Sequence, residues 1–292
     1  MLSVAEAFAK FKKKISEPTQ REQNDASKRQ KEIREVIGRE FDVERDFLSG
    51  SYARWTKTKP LKDVDIFCVL GEEEKHYHKE APSNLLNAVE KVLRDEYGFG
   101  RVTQQARSVS VSFPSDEEET VMSFDVVTGF DVGKHYEVPD TKSSSGWTKT
   151  DPEVHKELAS KKHSEYSSEW KGLVRMVKTW NRNTDKAVRP SFLLEVMALD
   201  LFDGNFGGDY RYELKGFLSS AAVRVLDAWP DPAGLGPDVN GRMSDWEKRA
   251  AQTALFNAEF KAAQAIQSEK SGHVAEALRL WQSIFGSQFV LS

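Results

Sequence analysis

The sequence predicts an α+β fold, a small mixed sheet with helices followed by a C-terminal helical lobe. Two observations carry that reading. Apolar residues alternate with a period of two only between residues 64 and 127, the signature of half-buried strands. On either side of that stretch they recur at helical spacing. The one Pro/Gly-rich stretch is WPDPAGLGPDVNG at 229–241, and there is no internal repeat, so the chain is not a solenoid or a tandem array.

The elements follow in order. Ser3 with Glu6 reads as a capping box, and Phe8, Phe11 and Ile15 then mark a first helix ending near Pro18. Residues 19–40 form a second, mostly polar helix with a late apolar edge at Ile33, Val36 and Ile37. Val64, Ile66, Cys68 and Leu70 alternate with Asp65, Phe67 and Val69 as a strand. Ser83 opens a helix with Leu85, Val89, Val92 and Leu93 on one stripe. Val109, Val111 and Phe113, then residues 121–127, make two strands joined by the acidic turn SDEEE. Residues 131–155 read as a loop.

The remainder is helical. Trp170, Leu173, Val174 and Val177 form one apolar stripe and SFLLEVMALDLF another. Ser244 with Glu247 caps a long helix through Phe256 and Phe260, and Ser271-Gly272 breaks it before a last helix around Leu278 and Trp281. The expected division is 1–40 as N-terminal helices bracing both lobes, 41–155 as the sheet-bearing core and 156–292 as the helical lobe.

At 292 residues the chain suits one bilobed domain or two smaller ones. Forty-two Lys and Arg against 46 Asp and Glu give a net charge of −4, which argues against gripping long nucleic acid. A small anionic ligand met by a local basic patch remains open. The single cysteine, Cys68, rules out an internal disulfide and a multi-thiolate zinc site and suits a reducing compartment. No apolar run has the length of a signal peptide or a membrane span, so the expected location is the cytoplasm.

The chemistry concentrates at Gly50-Ser51, a short spacer, and Asp63-Val64-Asp65 at the head of a strand. Alternation puts both carboxylates on one face, with Cα atoms roughly 6.5–7 Å apart. So placed, they can ligate one hard cation together and share a second. Without a counter-charge the pair repels and one carboxyl takes up a proton. Asp125, in the strand MSFDVVTGF, completes the set; two ions about 3.5–4 Å apart would activate a hydroxyl and stabilise leaving pyrophosphate. An isolated D-x-D is usually a solvated strand edge. Here Gly50 and Ser51 add a backbone that can approach a phosphate closely.

A second constellation lies on SEWKGLVRMVKTWNR. Lys171, Arg175, Lys178 and Arg182 fall within about 60° on one helix face. Unpaired, such charges cost a few tenths of a kcal/mol per pair, so an anion is expected to offset them. A cationic stripe is also the ordinary look of a surface helix; coupled to the Asp site it becomes a candidate triphosphate clamp, with Lys178 foremost because Arg189-Pro190-Ser191-Phe192 follows nearby. Tyr136, Trp147 and Tyr210 are candidate base-stacking residues, although such aromatics are more often core or rim. His76 and His78 form an H-x-H pair inside EEEKHYHKE, read as a solvated turn with no role.

GSYARWTKTKPLKDVDIF followed by SFDVVTGF resembles the DNA polymerase β-type nucleotidyltransferases, whose pattern is Gly-Ser, Asp-x-Asp and a later strand Asp. YEVPDTKSSSGWTKTDPEVH, LVRMVKTWNR, PSFLLEVMAL and LWQSIFGSQF are similar to the bacterial cyclic-oligonucleotide synthases called CD-NTases, relatives of cyclic GMP-AMP synthase and oligoadenylate synthase. The resemblance covers nearly the whole chain, and only the metal motif is specific by itself.

It implies a polymerase β-like core with the active site in a cleft between core and helical lobe. It also implies conversion of ATP, GTP or other triphosphates into a cyclic oligonucleotide, expected to be a dinucleotide, that acts on a separate effector protein in antiphage signalling. Residue by residue, Gly50 and Ser51 would hold the donor triphosphate, and Asp63, Asp65 and Asp125 would ligate two Mg²⁺, with Mn²⁺ as a substitute. Lys178 and Ser191 would contact donor phosphates. VPDTKSSSGW replaces the longer lid of many members, so base choice is not legible there. The alternatives are a linear-product, RNA or small-molecule nucleotidyltransferase, or an inactive nucleotide-binding module.

Overall fold

The computed structural model describes residues 2–16, 20–114 and 121–291. Helices α1 (Val4–Ser16) and α2 (Gln20–Glu40) lead. They are followed by strand β1 (Val43–Ser49), the single-turn helix α3 (Gly50–Ala53), β2 (Asp63–Leu70) and α4 (Pro82–Tyr97). Strands β3 (Val102–Gln104), β4 (Val109–Pro114), β5 (Val121–Asp131), β6 (Tyr136–Pro139) and β7 (Trp147–Thr150) come next. Helices α5 (Pro152–Glu165), α6 (Trp170–Asn183), α7 (Phe192–Leu201), α8 (Tyr210–Arg224), α9 (Asp245–Lys270) and α10 (Val274–Phe285) complete the chain. It forms two compact units, residues 18–156 and residues 1–17 with 157–292. The two N-terminal helices therefore part, α2 joining the sheet and α1 the helical unit.

In the sheet unit the strand order is β1-β2-β5-β4-β3, with β6 pairing β5 and β7. β2 and β5 run parallel and the other neighbours antiparallel, which makes the sheet mixed. One face of β2, Val64, Ile66, Cys68 and Leu70, packs into a core with Ile33 and Ile37 of α2, Leu85, Leu86, Val89 and Leu93 of α4, and Phe124 of β5. The opposite face carries Asp63 and Asp65 and then Phe67 and Val69, which are covered by Phe47, Tyr136 and Val138. Residues 66–70 are thus buried on both sides, and each such side chain contributes about 1.5–3 kcal/mol by leaving water. α4 starts on Pro82 with Ala81 rather than Ser83 at its cap, the position where the missing N–H of proline costs nothing.

Residues 131–155 are not one loop. β6, β7 and the start of α5 lie there, paired as a hairpin from Tyr136↔Thr150 to Pro139↔Trp147. β1 was also unannounced, because VERDFLS carries its charges along the sheet edge where they stay half-exposed. The SDEEE turn lies outside the described residues. The thiol of Cys68 is buried, and desolvation pushes its pKa up to about 12 against the opposing charge of Arg34, as for a small apolar core residue. No helix among the described residues is long and apolar enough to cross a membrane.

In the helical unit both capping boxes are present. Ser3 and Glu6 exchange backbone and side-chain hydrogen bonds, as do Ser244 and Glu247. Phe8 and Phe11 of α1 meet Trp281, Phe285 and Phe289 at ring distances of 4.7–6.1 Å. α7 buries Leu193 through Ala198 almost all round. α9 packs through Ala251, Leu255, Ala258, Ala262 and Ala265, leaving Phe256 and Phe260 exposed.

Candidate active site

The register of β2 against its neighbours assembles the acidic group. Asp65 lies directly beside Asp125 across the parallel pairing, and Asp63 lies beside Ser123. Since paired residues share a face, Asp63, Asp65 and Asp125 all stand on the face away from α2 and α4. On the other side of β2, Ser49 is opposite Asp65, so the chain turns into α3 at Gly50 against that carboxylate. Gly50 has φ +62°, and a Cβ there would overlap the Asp65 carboxylate. Glycine is needed for both reasons. The carbonyls of Gly50 and Ser51 accept from Arg54 N at 3.2 Å and Thr56 N at 3.0 Å, which closes the turn carrying Ser51.

Hydrogen bonds hold Asp63 and Asp125. Ser123 Oγ donates to Asp63 Oδ1 at 2.8 Å, and Gln105 Nε2 donates to Asp125 Oδ1 at 3.2 Å. Burial pushes the Asp125 carboxyl above its ordinary value; the Asp63 charge adds to that and a hydrogen bond from Ser110 opposes it. A like charge therefore contributes at Asp125, where the sequence pattern anticipated repulsion between Asp63 and Asp65. Among the described residues no three His, Cys, Asp or Glu side chains converge closely enough to hold a metal ion as they stand. The donor set still fits a hard divalent cation in kind: three carboxylates on one face, one of them carrying a repulsion that a cation relieves.

Lys178 and Ser191 belong to the helical unit. Ser191 is the exposed N-terminal flank of α7 and makes no side-chain cap. Lys178 is buried, and its Nζ donates to Glu195 Oε1 at 2.9 Å with both side chains nearly sealed from solvent. The anion expected to offset the cationic stripe is thus supplied at Lys178 by the chain itself, from α7. Arg175 donates from Nε to Ser16 Oγ at 3.1 Å, and burial lowers its guanidinium pKa.

The aromatic candidates are packed. Tyr136 sits against Phe67 at 5.1 Å and donates to Glu153. Tyr210 stacks near Phe8 and bonds Lys12 and Glu169. Trp147 lies edge-on to His78 at 4.8 Å. His78 also bonds Glu137 at 2.7 Å, so of the H-x-H pair only His76 is an exposed turn residue. Sequence reasoning missed Ser110, Ser123 and Gln105. Alternation from Asp125 back to Ser123 would have found one of them; the other two depend on strand pairing that the sequence does not show.

A mixed sheet bearing Asp-x-Asp on one strand and a third Asp in register on its parallel neighbour has the polymerase β-like nucleotidyltransferase fold. Residues 2–162 match the family described as Second Messenger Oligonucleotide or Dinucleotide Synthetase domain, and the chain belongs to that family, as a bacterial CD-NTase. It is similar to a Bacillus cereus (strain VD146) protein named "Probable cyclic nucleotide synthase", 27% identical over 271 residues, 82% of this chain and 80% of that one. It is also 27% identical over 261 residues to the "Cyclic AMP-AMP-AMP synthase" of Acinetobacter sp. (strain ATCC 27244 / 9458), covering 83% of this chain and 72% of that one. Two solved structures share the fold. E. coli MS115-1 CdnC in complex with HORMA-deltaN has a TM-score of 0.71 at 19% identity over 98% of both chains. Bradyrhizobium diazoefficiens CdnG in complex with GTP has 0.72 at 14% identity, over 95% of this chain and 96% of that one.

Proposed function

We propose that this nucleotidyltransferase makes a cyclic oligonucleotide second messenger from nucleoside triphosphates in a metal-dependent reaction, with Asp63, Asp65 and Asp125 as the metal-binding carboxylates. The observation that carries the reading is the shared face of these three side chains, with the Gly50 backbone packed against Asp65. Family membership supports oligonucleotide or dinucleotide synthesis, and the names of the two similar proteins support a cyclic product. The GTP in the CdnG structure supports a triphosphate substrate.

Two Mg²⁺, with Mn²⁺ as a substitute, would supply charge neutralisation at the attacking hydroxyl and the leaving pyrophosphate. The chain's own part is to bind and orient. Gly50 and Ser51 present a close backbone and a hydroxyl to the donor triphosphate. Lys178 and Ser191 are assigned to donor phosphates on the family resemblance; an ammonium has three donors and Glu195 takes one of those of Lys178. For ring closure the linear intermediate must turn its remaining triphosphate to the same three carboxylates, and retention of the intermediate favours closure through effective concentration. We assign a ring of two nucleotides with at least one purine, acting on a separate effector in antiphage signalling.

The test is incubation with the four labelled triphosphates and Mg²⁺ or Mn²⁺, followed by nuclease mapping and mass spectrometry. A single phosphatase-resistant product of two nucleotides supports the reading. A mass of three nucleotides corrects the ring size, and a ladder of linear chains overturns cyclisation.

A further inference from the structure

The turn between β3 and β4 touches the acidic site at one end and the β6–β7 hairpin at the other. Gln105 Nε2 donates to Asp125 Oδ1 at 3.2 Å. Its Oε1 accepts from Ser108 Oγ at 3.4 Å, and its backbone N–H donates to Ser108 O at 2.8 Å. The amide is thus oriented, with its oxygen turned to Ser108 and its nitrogen to the carboxylate. Two residues on, Arg107 donates from Nε and Nη2 to Asp140 Oδ2, each at 2.7 Å. Asp140 is fully buried and also accepts from Lys142 N at 3.0 Å and Thr148 Oγ1 at 2.9 Å. Ala106 O accepts from Thr141 N at 3.0 Å, so an ion pair and a backbone bond staple the turn to the hairpin. Those bonds to Asp140 hold its carboxyl below its ordinary value against the opposing effect of burial.

We propose that Gln105 is a positioning residue for Asp125, and that the Arg107–Asp140 ion pair acts through the same turn to keep Gln105 on station. This rests on the reading of Asp125 as a functional carboxylate. An Asp side chain with no fixed donor samples several rotamers. A donor fixed on Oδ1 selects one of them before any ligand arrives, and preorganisation of that kind is how a site built on strands stays within a few tenths of an ångström of its working geometry. Gln105 lies on a turn, where a side chain is held only as well as the turn is. The buried acceptor at Asp140 holds it, because a guanidinium fork fixes direction as well as distance.

The experiment compares Gln105→Ala, Asp140→Asn and the double variant with the parent, scoring kcat and KM for triphosphate, and Mn²⁺ binding by water proton relaxation without nucleotide turnover. Gln105→Ala is expected to lower kcat about tenfold with KM nearly unchanged, the worth of one hydrogen bond to a charged group, and to weaken Mn²⁺ binding severalfold. Asp140→Asn is expected to do the same more weakly. The double variant should be no worse than Gln105→Ala alone, since one residue acts through the other. Additive losses with unchanged Mn²⁺ affinity mean that the staple only stabilises the fold, and overturn the proposal. If Asp140→Asn does not fold, Arg107→Lys, which keeps the charge and loses the fork, takes its place. Asp125→Asn is run alongside. If it stays active, the reading of the site itself falls; if it is dead while Gln105→Ala matches the parent in kcat and Mn²⁺ affinity, only the positioning role falls.

Discussion

Glu195→Ala would strand the Lys178 ammonium. Nζ donates to Glu195 at 2.9 Å, and the two side chains are 7% and 3% exposed, so a charge that loses its partner is left with little access to water. Removing one partner of a buried pair costs about 3–5 kcal/mol, most of it the penalty on the charge left behind. For a unit of about 150 residues each kcal/mol moves Tm by about 2–4 °C. The expected drop is therefore roughly 6–20 °C in a thermal melt followed by circular dichroism. Removing both charges at similar volume, as Lys178→Met with Glu195→Leu, should melt closer to the parent than either single variant. Lys178→Ala should in addition raise KM for triphosphate, while an unchanged KM would remove Lys178 from the donor site. A Glu195→Ala protein melting within 2 °C of the parent would refute the burial argument, since about 3 kcal/mol cannot hide in so small a shift.

Other expectations follow from the same geometry. Gly50→Ala puts a Cβ into the Asp65 carboxylate at a left-handed φ; strain of about 1–2 kcal/mol should lower Tm slightly, while turnover falls about a hundredfold because a displaced carboxylate is a displaced ligand. A Gly50→Ala enzyme of parental activity would contradict that packing. His163 is held below its ordinary 6.5, first by burial and then by Lys171, Arg175 and Lys12, with Glu169 opposing. The folded protein thus binds this proton less readily than the unfolded chain. Its stabilising share is present above pH 6.5 and is lost as pH falls through the lower folded value; melts from pH 7.5 to 5 should decline, and His163→Gln should flatten the decline. Asp63→Ala should abolish turnover yet melt no lower than the parent without metal, since it relieves the repulsion on Asp125; a clear loss of Tm would show that Asp63 serves the fold.

What the sequence made legible is what local periodicity and capping write. The β2 run and the boxes at Ser3 and Ser244 stand where the pattern put them. β1, β6 and β7 were hidden for different reasons: VERDFLS keeps its charges at an edge, YEVP is four residues ending in proline, and WTKT alternates no apolar pair. In α9 the contact is built from alanines, so the large rings at Phe256 and Phe260 mark the exposed side rather than the core. Asp63 and Asp65 were readable because two residues on one strand share a face by geometry alone. The pairing of Asp65 with Asp125 lies across 60 residues and needs the parallel register. For the same reason Glu195 could not be paired with Lys178 from sequence, since their contact is made by one helix packing on the next.

The most direct test of the central claim is the labelled product made with Mg²⁺ by the parent and by Asp65→Ala, each treated with alkaline phosphatase. A cyclic product has no terminal phosphate, so the parent should give a species that resists phosphatase and is cut by a phosphodiesterase, and Asp65→Ala should give none. Digestion of the parent's main product by phosphatase, or an Asp65→Ala protein working near the parental rate, would contradict the account.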